Sequence, residues 1–210
     1  MAGSKTLDDD LSSALKHLCR DRRLKQLLES VGRISLKPNP GPTPLYALAE
    51  SITGQQLNGR AAAAIFERFL GLFDGKPTAD EILGLEEATL RSVGLSSAKA
   101  AAMRDLAEKV KSGVVPDWKA LRQMEDETII RRLTQVRGIG RWTVEMMLIF
   151  ALGRPDVWPV DDFAVRKAYG NLFGIQDPKA AEMTQRAEAW RPWRSVAARY
   201  LWRSLDVGGK

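Results

Sequence analysis

Apolar residues recur at helical spacing through almost the whole chain, and strand-like alternation is nearly absent, so the chain must fold as packed helices. One segment cannot join them. Lys37-Pro-Asn-Pro-Gly-Pro-Thr-Pro44 places four prolines in eight residues, each lacking an N–H and locked in φ, which makes it a connector between two helical units. Ahead of it Leu7, Leu11, Leu15 and Leu18 share a face, and Leu24, Leu27 and Leu28 continue the pattern to about Ser30. Thr6 and the aspartates Asp8, Asp9 and Asp10 stand where an N-cap and a negative first turn belong. Beyond the prolines the spacing predicts helices from Tyr46 to about Phe73, Thr78 to Leu83, Leu85 to Val93, and Ser97 to Lys111 with Ser96 as cap. Asp117 and Asp126 read as caps of the next two, and further helices fall at roughly 127–135, 141–152, 162–173, 179–190 and 193–205. The expectation is an all-α protein of about ten short helices.

Two scarcities narrow the chemistry. Among 210 residues there is one cysteine, Cys19, and one histidine, His17. No disulfide can close within the chain, which fits a reducing cytosol, and neither a four-cysteine zinc or iron–sulfur site nor an H-E-x-x-H zinc site can be built. A nucleophile activated by histidine would have to use His17, which reads as an edge residue of a helix; Cys19 reads as a small apolar filler. The working groups of an enzyme built this way are carboxylates, aromatic rings and backbone amides. The longest apolar run, Met146 to Gly153, is too short to cross a bilayer, and the N-terminus shows no apolar signal core. The net charge of +6 is compatible with nucleic acid without pointing to it.

The most informative stretch is Leu133-Thr-Gln-Val-Arg-Gly-Ile-Gly-Arg-Trp-Thr-Val-Glu-Met-Met147. Gly138 and Gly140 flank Ile139, so positive φ is available at both glycines while Ile139 plugs the core. Such a turn presents backbone N–H groups at the start of the helix near Arg141, and Arg137 and Arg141 add charge on either side, an arrangement suited to phosphate. Without the arginines, a plain helix–helix turn would be the simpler reading.

This stretch resembles the helix-hairpin-helix of the DNA glycosylase superfamily. Ser51-Ile-Thr-Gly-Gln-Gln-Leu, Val93-Gly-Leu-Ser-Ser-Ala-Lys, Trp158-Pro-Val-Asp-Asp-Phe and Trp190-Arg-Pro-Trp-Arg-Ser agree in the same order, and together the segments span about residues 45–205. The match is nearest to the alkylpurine branch, the AlkA/Mag-type 3-methyladenine DNA glycosylases, in the shorter form without an N-terminal β domain. Spacing alone leaves Asp161 and Asp162 equivalent, each a candidate N-cap of the helix that follows; the resemblance implies that Asp162 is the catalytic carboxylate. It implies that Trp142, Met146 and Trp193 line the base pocket. Trp193 would stack on the flipped base, where a cationic purine gains about 0.5–2 kcal/mol from the ring. Trp190 and Trp202 read as core. Met146 stands where the family often has tyrosine. Lyase-type relatives carry a Schiff-base lysine where this chain has Trp142, so base release without strand nicking is implied.

The resemblance also makes Gln56 the wedge that fills the gap left by the extruded nucleotide, with Leu57 as its rival and Asn58 beside the lesion in the minor groove. The plainer reading of this stretch is a polar first turn capped by Thr53. Arg137, Gly138, Gly140, Arg141 and Thr143 would meet the DNA backbone. The carbonyls of Thr134, Val136 and Gly138 would hold a Na⁺ or K⁺, and no cofactor is required for catalysis. Glu145 reads as a structural carboxylate. Arg186, Arg191, Arg194, Arg199 and Arg203 form either a solvated face or phosphate contacts.

The expected fold is therefore an all-α, two-lobed helix-hairpin-helix glycosylase with its cleft between lobes. Residues 1–41 would pack with 156–210, and 42–155 would form the middle lobe with wedge and hairpin. The implied activity is monofunctional hydrolysis of the N-glycosidic bond of alkylated purines: 3-methyladenine, 7-methylguanine, and more slowly etheno-adenine or hypoxanthine. Damaged double-stranded DNA is the partner expected of a monomer that meets no membrane and resides in the cytoplasm, nucleoid-associated, of a bacterium or the nucleus of a eukaryote. The competing readings are a non-catalytic duplex-binding module and a helical protein-interaction domain.

Overall fold

A computed structural model describes residues 10–207. Among these residues thirteen α-helices follow one another: α1 (Leu11–Leu18), α2 (Arg22–Val31), α3 (Pro44–Gly54), α4 (Gly59–Gly71), α5 (Ala79–Gly84), α6 (Glu87–Ser92), α7 (Ser97–Lys111), α8 (Trp118–Gln123), α9 (Asp126–Leu133), α10 (Arg141–Met146), α11 (Phe163–Phe173), α12 (Ala180–Ala187) and α13 (Arg194–Val207). A π-helical turn, Met147–Ala151, continues α10, and a 3₁₀ turn, Glu188–Trp190, follows α12. No strand occurs among the described residues.

Side-chain caps decide where most of these helices begin. Thr43, Asn58, Ser96 and Asp117 each accept the N–H three residues on, and Thr78 forms a capping box with Glu81. Caps also account for the departures from periodicity. The leucine pattern running to Ser30 is two helices, because Asp21 accepts the N–H groups of Arg23 and Leu24 and starts α2 afresh. The expected helix 46–73 is likewise two, divided at Gln55–Asn58, with Asn58 accepting from Ala61 N–H at 2.9 Å. Thr53 lies inside α3 and donates its hydroxyl to the Ala49 carbonyl, so it caps nothing. Asp126 is the first residue of α9, not its cap; Glu125 holds that position without a side-chain bond. Leu7, Thr6, Asp8 and Asp9 lie outside the described residues.

The chain divides into two compact units. One comprises the described residues up to Asn39 together with those from Glu145 onward; the other is Pro40–Val144. The expected break at 155 therefore falls too late. Residues 145–155 group with the first unit, where Asn39 N–H donates to the Phe150 carbonyl and the Phe150 ring lies 5.4 Å from that of Trp202.

In the first unit α13 packs on α11 and α2 around buried Leu24, Tyr169, Trp190, Val196 and Leu201, and the Trp158 ring meets Trp190 edge-on at 5.3 Å. In the second, α7 packs on α3, α5 and α6 and buries Ile52, Ile82, Leu90, Met103 and Leu106 completely. Gly170 marks a close approach: a Cβ there would stand 2.6 Å from the Ile175 carbonyl oxygen, which belongs to backbone that cannot yield cheaply. Gly170→Ala should therefore lower stability by about 1–3 kcal/mol in urea unfolding. A wild-type midpoint would show that the turn after α11 moves freely.

Candidate functional site

In the first unit the chain turns at Trp158-Pro-Val-Asp-Asp, where Asp162 N–H bonds back to the Pro159 carbonyl, and α11 begins. Asp162 is the N-cap: its Oδ1 accepts Val165 N–H at 2.7 Å. Asp161 next to it is exposed, whereas Asp162 is only 8% exposed. Local geometry thus separates two aspartates that spacing left equivalent. A second donor reaches the same oxygen, the indole N–H of Trp202 on α13 at 2.8 Å. Trp202 is therefore not a plain core residue. It is half-buried between Asp162 and the ring of Phe150, which the π-helical turn carries, and the Arg199 guanidinium stacks on Phe150 at 5.1 Å.

Trp193, expected to stack on a base, is half-buried against the core of this unit, and Trp190 is fully buried. The backbone on either side of Trp193 is held to the loop that leads into Asp162. Arg194, with its side chain 11% exposed, donates Nε to Asp156 Oδ1 at 2.7 Å and Nη2 to Asp156 Oδ2 at 3.1 Å. Buried Ser195 accepts Val157 N–H at 2.8 Å. Arg191 pairs with Asp156 and Glu188. The remaining arginines of the stretch have partners within the protein: Arg186 stacks on Phe173, Arg199 donates to the Ser35 carbonyl and Arg203 pairs with Asp206. Met146 is half-buried and Glu145 is buried. His17 lies at the unit's edge, its Nε2 3.0 Å from the Ala189 carbonyl, and Cys19 packs partly buried beside the core.

The hairpin lies in the second unit. Leu133, Val136 and Ile139 are buried beneath it, and Gly138 takes φ +79°. Gly140, contrary to expectation, is not left-handed; its carbonyl accepts Val144 N–H as α10 begins, so a single glycine makes the turn. Arg137 is exposed, and its backbone N–H donates to Asp105 Oδ2 at 2.7 Å. Arg141 forks onto Glu127, and this hydrogen bond holds the Glu127 carboxyl below the usual carboxylate range. Thr143, expected at a DNA surface, is buried because it faces inward from the first turn of α10. Trp142 is 48% exposed, which excludes the core role that helical spacing alone would assign it. Of the three carbonyls expected to hold a cation, that of Val136 accepts Ile139 N–H and that of Gly138 accepts Gln55 Nε2 at 2.7 Å. Among the described residues no group of three His, Cys, Asp or Glu side chains is placed to hold a metal.

Between α3 and α4 the turn Gln55–Asn58 leaves Gln56, Leu57 and Asn58 exposed. Gln56 has φ +58°, the left-handed region that a residue with a Cβ enters at a cost. The Asn58 side chain is engaged as the cap of α4, so its expected place in a minor groove is not what this geometry displays. Sequence reading passed over Gln55, Lys99, Asp105, Glu127 and Trp202. Each is defined by a bond to a residue distant in sequence; Gln55, within Ser51–Leu57, and Lys99, within Val93–Lys99, fell inside segments already singled out, and Trp202 had been read as core.

Residues 49–194 match the family described as HhH-GPD superfamily base excision DNA repair protein, and the chain belongs to this family. It is 36% identical over 193 residues to DNA-3-methyladenine glycosylase 1 of Schizosaccharomyces pombe, a match covering 89% of this chain and 84% of that protein. The solved structure of a 3-methyladenine DNA glycosylase from S. pombe in complex with abasic DNA superposes with TM-score 0.80 at 37% identity, covering 91% of this chain and 95% of the other. The crystal structure of a Bacillus halodurans DNA-3-methyladenine glycosidase superposes with TM-score 0.83 at 32% identity, covering 98% and 92%.

Trp202→Phe keeps an aromatic ring but removes the indole donor from a buried carboxylate. It should lower unfolding free energy by about 1.5–3 kcal/mol. Urea denaturation that leaves the midpoint unchanged would mean the bond contributes nothing to the fold.

Proposed function

We propose that this protein is a monofunctional DNA glycosylase that hydrolyses the N-glycosidic bond of alkylated purines, 3-methyladenine foremost. The observation that carries the reading is Asp162: a buried carboxylate at the positive end of α11, oriented by Val165 N–H and the Trp202 indole. The names of the relatives above support the same substrate class. Glycosidic cleavage develops positive charge on the sugar, and a preorganised anion near C1′ stabilises it. As the C1′–N bond breaks, its electron pair neutralises the positively charged alkylated ring, a water adds to C1′, and one proton leaves. Such bases depart without a general acid, which suits a site without histidine. Neutral bases such as hypoxanthine and etheno-adenine need a proton and should leave more slowly, and 7-methylguanine belongs with the faster group.

Trp142, Met146 and Trp193 are the proposed pocket residues, to which Trp202 is now added. Gln56 is the proposed wedge with Leu57 beside it, and the amides from Gly138 to Arg141, with Arg137, are the proposed phosphate contact. Arg141 would have to exchange Glu127 for phosphate. A Na⁺ or K⁺ on the Thr134, Val136 and Gly138 carbonyls would share the Val136 and Gly138 oxygens with the hydrogen bonds they already accept, which two lone pairs per carbonyl allow. No chemical step passes through it.

Single-turnover excision from duplexes bearing 3-methyladenine, 7-methylguanine, etheno-adenine or hypoxanthine tests the reading. Asp162→Asn should slow release by about 10²–10³-fold or more while DNA affinity stays near wild type. A variant that still turns over at the wild-type rate overturns the assignment, and a wild type that binds DNA but releases no base identifies a non-catalytic module instead. Because Trp142 offers no amine, borohydride should trap no covalent adduct and the strand should stay intact at the abasic site. A trapped adduct would show lyase chemistry.

A further inference from the structure

The turn after α3 holds a residue that local energetics disfavour. Gln56, at φ +58°, is the third residue of the turn Gly54–Leu57, closed by Leu57 N–H on the Gly54 carbonyl at 3.2 Å, a left-handed position that glycine fills without strain. A non-glycine residue persists there when the surroundings hold it and its side chain is needed. Those surroundings come from two distant segments. Lys99, half-buried in the first turn of α7, donates its ammonium to the carbonyls of Thr53 and Gln55, both at 2.8 Å. These lie at the C-terminal end of α3, where carbonyls lack intrahelical partners and the dipole favours a cation. Burial draws the Lys99 pKa below the usual lysine value. Its backbone is set in turn by Ser96, whose hydroxyl accepts Lys99 N–H at 3.3 Å. The second tie is the Gln55 side chain, whose Nε2 donates to the Gly138 carbonyl of the hairpin at 2.7 Å. Lys99 therefore caps the C-terminal end of α3, and Gln55 joins the following turn to the hairpin.

We infer that Lys99 and Gln55 are positioning residues for base extrusion: together they hold the Gln56 turn against the hairpin, so that the phosphate grip of the hairpin and the insertion of the wedge act as one. This rests on the reading of Gln56 as the wedge. Neither residue touches the reacting atoms. Their effect appears where a paired, stacked base must be displaced and vanishes where it need not be.

The experiment compares single-turnover excision of 7-methylguanine paired with cytosine against the same lesion placed opposite an abasic site, where extrusion is cheap. On the paired duplex Lys99→Met and Gln55→Ala should each slow excision about ten-fold, roughly the net worth of one hydrogen bond. On the unpaired duplex both should stay within about three-fold of wild type, and Lys99→Arg should recover most of the loss. Gln56→Gly, which relieves the left-handed strain, should show the same substrate dependence without loss of thermal stability. The Lys99→Met/Gln56→Gly pair should be no slower than Gln56→Gly alone. Lys99→Met at the wild-type rate on paired DNA, or equally slow on both duplexes, overturns the proposal. If Gln56→Gly is unimpaired, the wedge reading fails and the proposal with it. If the wild type releases no base, the glycosylase reading fails separately. The wedge is then read from 2-aminopurine fluorescence beside a tetrahydrofuran site, and Lys99→Met retaining the wild-type signal overturns the proposal.

Discussion

A carboxylate taken out of water must be given donors, and the first unit brings Asp162 a backbone N–H and an indole N–H from different helices. Val165 N–H comes from the helix that Asp162 itself begins, so capping α11 and solvating the carboxylate are one act. The Trp202 indole comes from α13, and its 2.8 Å bond holds only while α13 keeps its place against the loop before α11. Arg194 on Asp156 and Ser195 on Val157 tie the start of α13 to that loop. The π-helical turn adds Phe150 against the other side of Trp202. The carboxylate is thus held from both ends, by the helix it begins and by α13.

The second unit is organised differently, around backbone groups exposed at a turn. Its hairpin is anchored from below by Leu133, Val136 and Ile139, and Gly138 makes the turn that leaves the following amides at the start of α10. Charge around it is moderated: Arg141 sits on Glu127, and Asp105 takes the Arg137 amide.

Legibility in the sequence followed the range of the interaction. Caps act over three residues, so Ser96, Asp117 and the Thr78 box were readable, and the proline run marked the connector unambiguously. Asn58 and Asp21 were equally local, yet apolar periodicity continuing past them on the same face concealed two helix breaks. The tryptophans were harder. Periodicity assigned both Trp202 and Trp142 to the core, and only the family resemblance put Trp142 in a pocket; the structure leaves Trp142 half exposed and turns Trp202 toward Asp162. Hydrophobic spacing reports which face of a helix is apolar, and a tryptophan on that face serves equally as filler or, through its one polar atom, as a donor.

The sequence by itself determined an all-helical chain, its division at the prolines, the glycine hairpin between two helices, and the short list of groups able to do chemistry, because composition, propensity and capping are local properties. Only the tertiary structure decided which of Asp161 and Asp162 is buried, which tryptophan reaches it, that Arg141 spends its charge on Glu127, and that Lys99 and Gln55 hold the turn carrying Gln56. Each of those is a hydrogen bond or an ion pair whose partners meet through packing, or a burial that packing imposes. A donor and an acceptor forty or eighty residues apart leave no mark on the pattern of either neighbourhood.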